Sequence, residues 1–206
     1  SSYTHHHFFP GEVDLNFTID YPALDTLNTD INFDTTINFS GNSNVHEMYL
    51  YIEDNIKITN RLKANIGLHI GYYSLTDDIN DNISLQPRVS ARYLLSENLS
   101  LKASYAKMKQ NIHLLSNSSV GFPSDIWVPA IDSVPSQTSD QVAMSLSKLL
   151  YNGTYELSLE GYYKIMNELI TYKAGYSNLN SSEAWQNSVE TGGEGRSYGL
   201  ELFLQK

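Results

Sequence analysis

The sequence predicts an all-β protein, an antiparallel transmembrane β-barrel segment of about eight strands drawn from a larger barrel. Three observations predict it. Long segments alternate apolar and polar residues with a period of two. Short and long connections alternate along the chain, as they do in barrels with tight turns on one side of a membrane and long loops on the other. The apolar stripes are also longer than soluble strands, which most often run about 5–6 residues.

Eight strand-like segments lie near 1–9, 46–58, 61–75, 83–95, 99–113, 141–151, 155–173 and 196–206. In "RLKANIGLHIGYY" one face carries Leu62, Ala64, Ile66, Leu68, Ile70 and Tyr72, with Lys63, Asn65 and His69 opposite. In "ISLQPRVSARYLL" the apolar face is Ile83, Leu85, Pro87, Val89, Ala91, Tyr93 and Leu95, against Ser84, Gln86, Arg88 and Arg92. A tilted strand needs about 9–11 residues to cross the hydrocarbon layer. The polar faces are too charged for a dry core, where unpaired ions cost several kcal/mol each. The apolar faces therefore belong against lipid and the polar faces in a wet lumen.

The 99–113 segment turns Leu99, Leu101, Ala103 and Tyr105 outward and then continues with Lys107 and Lys109, so it extends past the apolar band. Segments 141–151 and 155–173 flank Asn152-Gly153, a pair suited to a two-residue hairpin turn. The remaining tight connections are "ITNR" at 58–61 and "SENL" at 96–99. Long loops near 10–45, 114–140 and 174–195 fall on the opposite end, which the barrel reading makes extracellular.

Composition narrows the classes. The chain has 206 residues and no cysteine, which rules out disulfides and thiolate chemistry. No run approaches the ~18 apolar residues of a membrane helix, so any span is made of strands. The start, "SSYTHHHFFP", has neither the basic region nor the apolar core of a signal peptide. The net charge is −10, and residues 1–56 hold nine acids and no Lys or Arg. Phosphate binding needs a basic patch, so nucleic acid is excluded as a partner.

Several stretches together resemble the barrel of TonB-dependent outer-membrane receptors, particularly those of Bacteroides-like bacteria. They are "HHHFFPG", "MYLYIEDNIKITNRLKANIGLHIGYY", "LQPRVSARYLLSENLSLKASYAKMKQNIHLL", "SDIWVPA" followed by "SDQVAMSL", and "YELSLEGYYKIMNELITYK" followed by "GRSYGLELFLQK". The resemblance covers nearly the whole chain apart from the acidic stretch 12–44. It implies a 22-stranded barrel closed by an N-terminal plug, located in the bacterial outer membrane. It also implies uptake of a scarce nutrient (iron chelate, vitamin or glycan), energised through the TonB complex. The implied partners are the lipid bilayer, the receptor's own plug domain, the TonB complex and a surface lipoprotein. No plug or TonB-contacting segment is recognisable within residues 1–206, so the expectation is an internal stretch of a longer chain. The rival class is a soluble or surface-attached β-rich binding or adhesion module, which detergent dependence would separate.

Candidate site residues fall into three groups. Loop aromatics Phe122, Trp127 and Trp185 could stack on a ligand, although the resemblance favours a structural role for "SDIWVPA". Lumen-facing Arg88, Arg92, Glu156, Glu160 and Lys164 are expected to pair with the plug or with one another. His5 and His7 share a strand face while His6 points away, so at most two could meet one ion; they are weak metal candidates, a polar lumen or rim position is the default, and no metal or cofactor is assigned. Glu156 and Glu160 stand roughly 13 Å apart along one strand, too far for paired-carboxylate catalysis. No nucleophile motif accompanies them, and the chain reads as a non-enzyme.

Overall fold

The computed structural model describes residues 1–8, 12–19, 31–38, 43–76, 82–117, 124–151, 153–174 and 185–206. In chain order the strands are β1 (Ser2–Phe8), β2 (Glu12–Ile19), β3 (Ile31–Asn38), β4 (Ser43–Lys57), β5 (Leu62–Leu75) and β6 (Asn82–Ser96). They continue with β7 (Leu99–Gln110), β8 (Ile112–Asn117), β9 (Ser124–Pro129), β10 (Gln137–Leu150), β11 (Tyr155–Tyr172) and β12 (Val189–Gln205). A 3-10 turn, Trp185–Ser188, precedes β12.

The main sheet has the order β1-β4-β5-β6-β7-β10-β11-β12, and every neighbouring pair is antiparallel. Each of the eight strands overlaps one of the eight segments expected from the sequence. This is an up-and-down wall, built as a transmembrane barrel segment is built.

Register makes the wall two-faced. One row runs Leu62, Tyr93, Leu101, Leu146, Leu159 and Leu202 across six strands. The next runs Ala64, Ala91, Ala103, Met144, Gly161 and Leu200, and a third Ile66, Val89, Tyr105, Val142, Tyr163 and Tyr198. Ile66 is 49% exposed, Met144 57% and Leu202 73%. An apolar surface this wide is not left to water by a soluble protein. Asp54, opposite Ile66, interrupts the band on the stretch of β4 that β1 does not cover.

Three details differ from the sequence reading. The 99–113 segment is not one strand: β7 ends at Gln110, and from Ile112 the chain pairs with β9 in a separate two-stranded sheet. The long connections are not merely polar loop, because β2 pairs with β3 and β8 with β9 inside them. The β10–β11 turn is wider than two residues. Leu150 pairs with Tyr155, and positive φ falls on Tyr151 (52°) and Gly153 (87°), while Asn152 lies outside the described residues.

The buried core sits at the long-loop end. Val45, Tyr73, Leu75 and Ala130 form one cluster, with Phe8 and Ile131 against it. Leu115, Val128, Val134 and Val189 form a second, joined by Ile126, Ile170, Tyr172 and Trp185. The segment from β8 to Val134 thus touches both β4–β5 and β11–β12, and braces the wall from its polar side.

Candidate functional site

The face opposite the apolar rows is polar and registered strand by strand. One row reads Asn55, Asn65, Ser90, Ser104, Ala143, Tyr162 and Gly199. The row nearer the short turns reads Lys57, Lys63, Arg92, Lys102, Ser145, Glu160 and Glu201. Above them, Glu53 accepts hydrogen bonds from Tyr51 and from the Asn65 amide, which also donates to Asn55 Oδ1 at 2.8 Å. Gly71 leaves room for the Tyr49 ring, since a Cβ there would lie 2.9 Å from Tyr49 Cε1. Small residues on this face thus let large polar ones lie flat.

Toward the long-loop end the same face is tied to the brace. Glu47, on β4, is 8% exposed. Its Oε1 accepts from Asn111 Nδ2 at 2.8 Å and from Tyr49 Oη at 3.1 Å, and its Oε2 lies 3.4 Å from His6 Nε2. Asn111 Oδ1 in turn accepts from Ser136 Oγ at 2.9 Å. The carboxylate therefore holds the β7–β8 corner against the wall, and burial raises the electrostatic value of each bond. Tyr73 Oη adds a second tie, donating to the Ala130 carbonyl at 2.6 Å.

The β8–β9 hairpin has unlike faces. His113, Leu115 and Val128 are buried, whereas the cross-strand pair Leu114 and Trp127 is exposed. His113 has no exposed surface, and its ring nitrogens make no well-formed hydrogen bond, the Pro135 backbone being the polar group that faces them. Burial pushes its pKa down to about 4.

A two-faced antiparallel wall with a loop brace on its polar side is the framework of a membrane barrel. Comparison with known families decides which one. A family model described as TonB dependent receptor-like, beta-barrel, matches residues 1–205. The chain belongs to the TonB-dependent receptor β-barrel family.

Solved members of similar fold include the alcaligin outer membrane receptor FauA from Bordetella pertussis. It is 13% identical with a TM-score of 0.52, over 79% of this chain and 27% of that one. The pyoverdine outer membrane receptor FpvA from Pseudomonas aeruginosa PAO1, bound to pyoverdine, is 14% identical with a TM-score of 0.55. That match covers 98% of this chain and 32% of the other. The chain thus spans about a third or less of the length of these receptors. A comparison with curated proteins gives no match. The TonB-dependent receptor barrel places the chain in the bacterial outer membrane, in a family of receptors and transporters rather than enzymes. Neither neighbour's name points to a surface lipoprotein.

Within this barrel wall the site residues expected from the sequence separate. Arg88, Arg92, Glu160 and Lys164 share the polar face, and Glu156 lies four positions from Glu160 on the same side of β11. Among the described residues Arg88 and Arg92 form no ion pair with Glu156 or Glu160, which leaves the other expected partner, the plug. Lys102 and Ser145 stand between Arg92 and Glu160 in their row, and among the described residues the ion pair found is His6 with Glu47. Trp127 is exposed, whereas Trp185 packs against the second core cluster. Phe122 lies outside the described residues. His5 stacks on His46 at 4.7 Å, and His7 Nδ1 bonds Asn44 Oδ1 at 2.7 Å. No group of three or more potential ligands among the described residues is placed to hold a metal. The Glu47–Asn111 tie escaped sequence reasoning, because its partners lie 64 positions apart and nothing local marks either one.

Proposed function

We propose that this chain is part of the barrel wall of a receptor that imports a scarce nutrient, an iron chelate, vitamin or glycan, with energy delivered through the TonB complex. The observation that carries the reading is the family match over residues 1–205, borne by a sheet in which the six strands from β5 to β12 of the main sheet turn one face apolar and the other polar. In this reading the barrel has 22 strands, a plug domain occupies its lumen, and β1 and β12 continue into neighbouring strands. The loops near 10–45, 114–140 and 174–195 face outside the cell, and the turns at 58–61, 97–98 and 151–154 face the periplasm.

Exposed Trp127 with Leu114 offers a flat apolar surface on the outer loops, suited to stacking on a chelate or sugar ring. Phe122 belongs to the same loop. Trp185, packed against the core cluster that holds Val128, supports the hairpin that presents Trp127.

The test is uptake of labelled ferric chelates, cobalamin and oligosaccharides by cells with and without the receptor, each with an intact or disrupted TonB complex. Uptake of one class should disappear on either loss. Uptake that needs the barrel but survives loss of the TonB complex would make it a passive channel instead.

A further inference from the structure

The sequence pairs His5 with His7, but register gives His5 a nearer partner. His5 lies directly opposite His46 on β4, and the two imidazoles stack with centroids 4.7 Å apart and planes 10° from parallel. Directly opposed residues have Cβ atoms about 4.5–5.5 Å apart, whereas positions two apart along a strand are separated by about 7 Å. Both rings belong to the outward face, since His46 is in register with Ser74 and Met48 with Tyr72 of the apolar stripe on β5. The row Tyr3, Met48 and Tyr72 closes that stripe, and the row His5, His46 and Ser74 follows it toward the long loops. His5 is exposed there. The pair therefore stands at the wet rim of the apolar band.

The neighbours of the pair prepare it for an ion. His46 Nδ1 lies 2.9 Å from Tyr3 Oη. With Nδ1–H donating to that oxygen, the Nε2 lone pair is free, and metal-binding imidazoles are oriented through their second nitrogen in this way. His7 is held aside, its Nδ1 donating to Asn44 Oδ1 at 2.7 Å. On β4 the outward face reads Asn44, His46, Met48, Leu50 and Ile52, with no carboxylate, and Glu47 is turned to the polar side. Calcium and magnesium, which take oxygen ligands, find no carboxylate here. Met48, 49% exposed, adds a thioether on an unbranched, adaptable side chain. Imidazole affinity along the first-row divalent series peaks at Cu²⁺, and thioether favours Cu⁺.

We propose that His5 and His46 form a copper site on the outward rim of β1–β4. Among the described residues no group of three ligands is already assembled. The two imidazoles are thus the standing pair, and Met48 swings onto the ion as a third ligand. Tyr3 positions His46. The inference rests on fold and register and is independent of the nutrient taken up.

The experiment uses the full-length receptor, purified in detergent and stripped with chelator. Cu²⁺ is titrated in, and pulsed electron paramagnetic resonance counts the imidazoles coordinated at the tightest site. The parent should show two. His5→Ala and His46→Ala should each lose one, and both replace rings on the surface, so the barrel should keep its heat-modifiability. His7→Ala should keep both imidazoles, as should His69→Ala, which removes a ring from the opposite face. Met48→Leu should weaken Cu⁺ binding, measured by competition with a chromophoric chelator, and leave the Cu²⁺ count at two. An unchanged count in His5→Ala or His46→Ala, or a count that falls in His7→Ala or His69→Ala, overturns the site. Cu⁺ binding untouched by Met48→Leu overturns the thioether's part in it.

Discussion

Tyr73 on β5 donates its hydroxyl proton to the carbonyl of Ala130, 57 positions later, and so pins the segment after β9 to the barrel wall. Ala130 N donates back to the Asn111 carbonyl at 2.7 Å, which closes the brace on itself. Tyr73→Phe keeps the ring in its cluster and removes the hydroxyl. It should weaken the brace by about 1 kcal/mol. Hydrogen exchange at the Ala130 amide should speed up several-fold, with β5 amides unchanged.

Glu47 holds the other end. Glu47→Ala leaves Asn111 and Tyr49 without their acceptor in a buried setting and should cost about 1–3 kcal/mol. Protease should then nick the segment 111–136 in intact cells faster than in the parent. Glu47→Gln retains an acceptor oxygen and should lie between the two.

The brace should loosen in acid. His113 is buried with its pKa pushed down from 6.5 to about 4. Above about pH 6.5 the ring is neutral whether the hairpin is folded or open, and nothing is lost. As pH falls from 6.5 toward 4, the opened hairpin takes up a proton that the folded one resists. Stability is therefore lost across that window, approaching about 3 kcal/mol. Loop proteolysis at pH 7, 5.5 and 4.5 reads it. His113→Phe should abolish the acid sensitivity without weakening the hairpin at neutral pH, because an apolar ring leaves no unmet polar group.

How far the sequence spoke depended on whether a feature was local. The main-sheet strands were legible because each carries its own period of two, as in Leu62 to Tyr72. The end of β7 was not, since apolar residues continue through Ile112 and Leu114 while the pairing partner changes from β10 to β9. Likewise "EVDLNFTI" and "INFDTTIN" alternate faintly, but nine acids in the first 56 residues dominated the reading and masked the hairpin. The charge-sorted row was out of reach for another reason. Lys57, Lys63, Arg92 and Lys102 become neighbours only once four registers are fixed, and a one-residue slip in any of them would send that cation to the lipid face.

That dependence on register yields a depth prediction. Leu159→Arg sits in the leucine row and should destabilise the folded barrel by about 2–4 kcal/mol if it lies near the bilayer midplane. Ser158→Arg, one residue away, should be tolerated because it enters water. The yield of folded, heat-modifiable receptor in outer membranes compares the two.

The central claim is that adjacent residues of one strand meet lipid and water in turn, and one pair of spin labels tests it. A label at Ile66 and a label at Asn65 are each placed in the receptor in outer-membrane vesicles. Relaxation by oxygen, which concentrates in lipid, is compared with relaxation by a water-soluble nickel chelate. The account predicts oxygen-dominated relaxation at Ile66 and nickel-dominated relaxation at Asn65. The reverse assignment, or nickel access at both positions, would contradict a membrane-spanning wall.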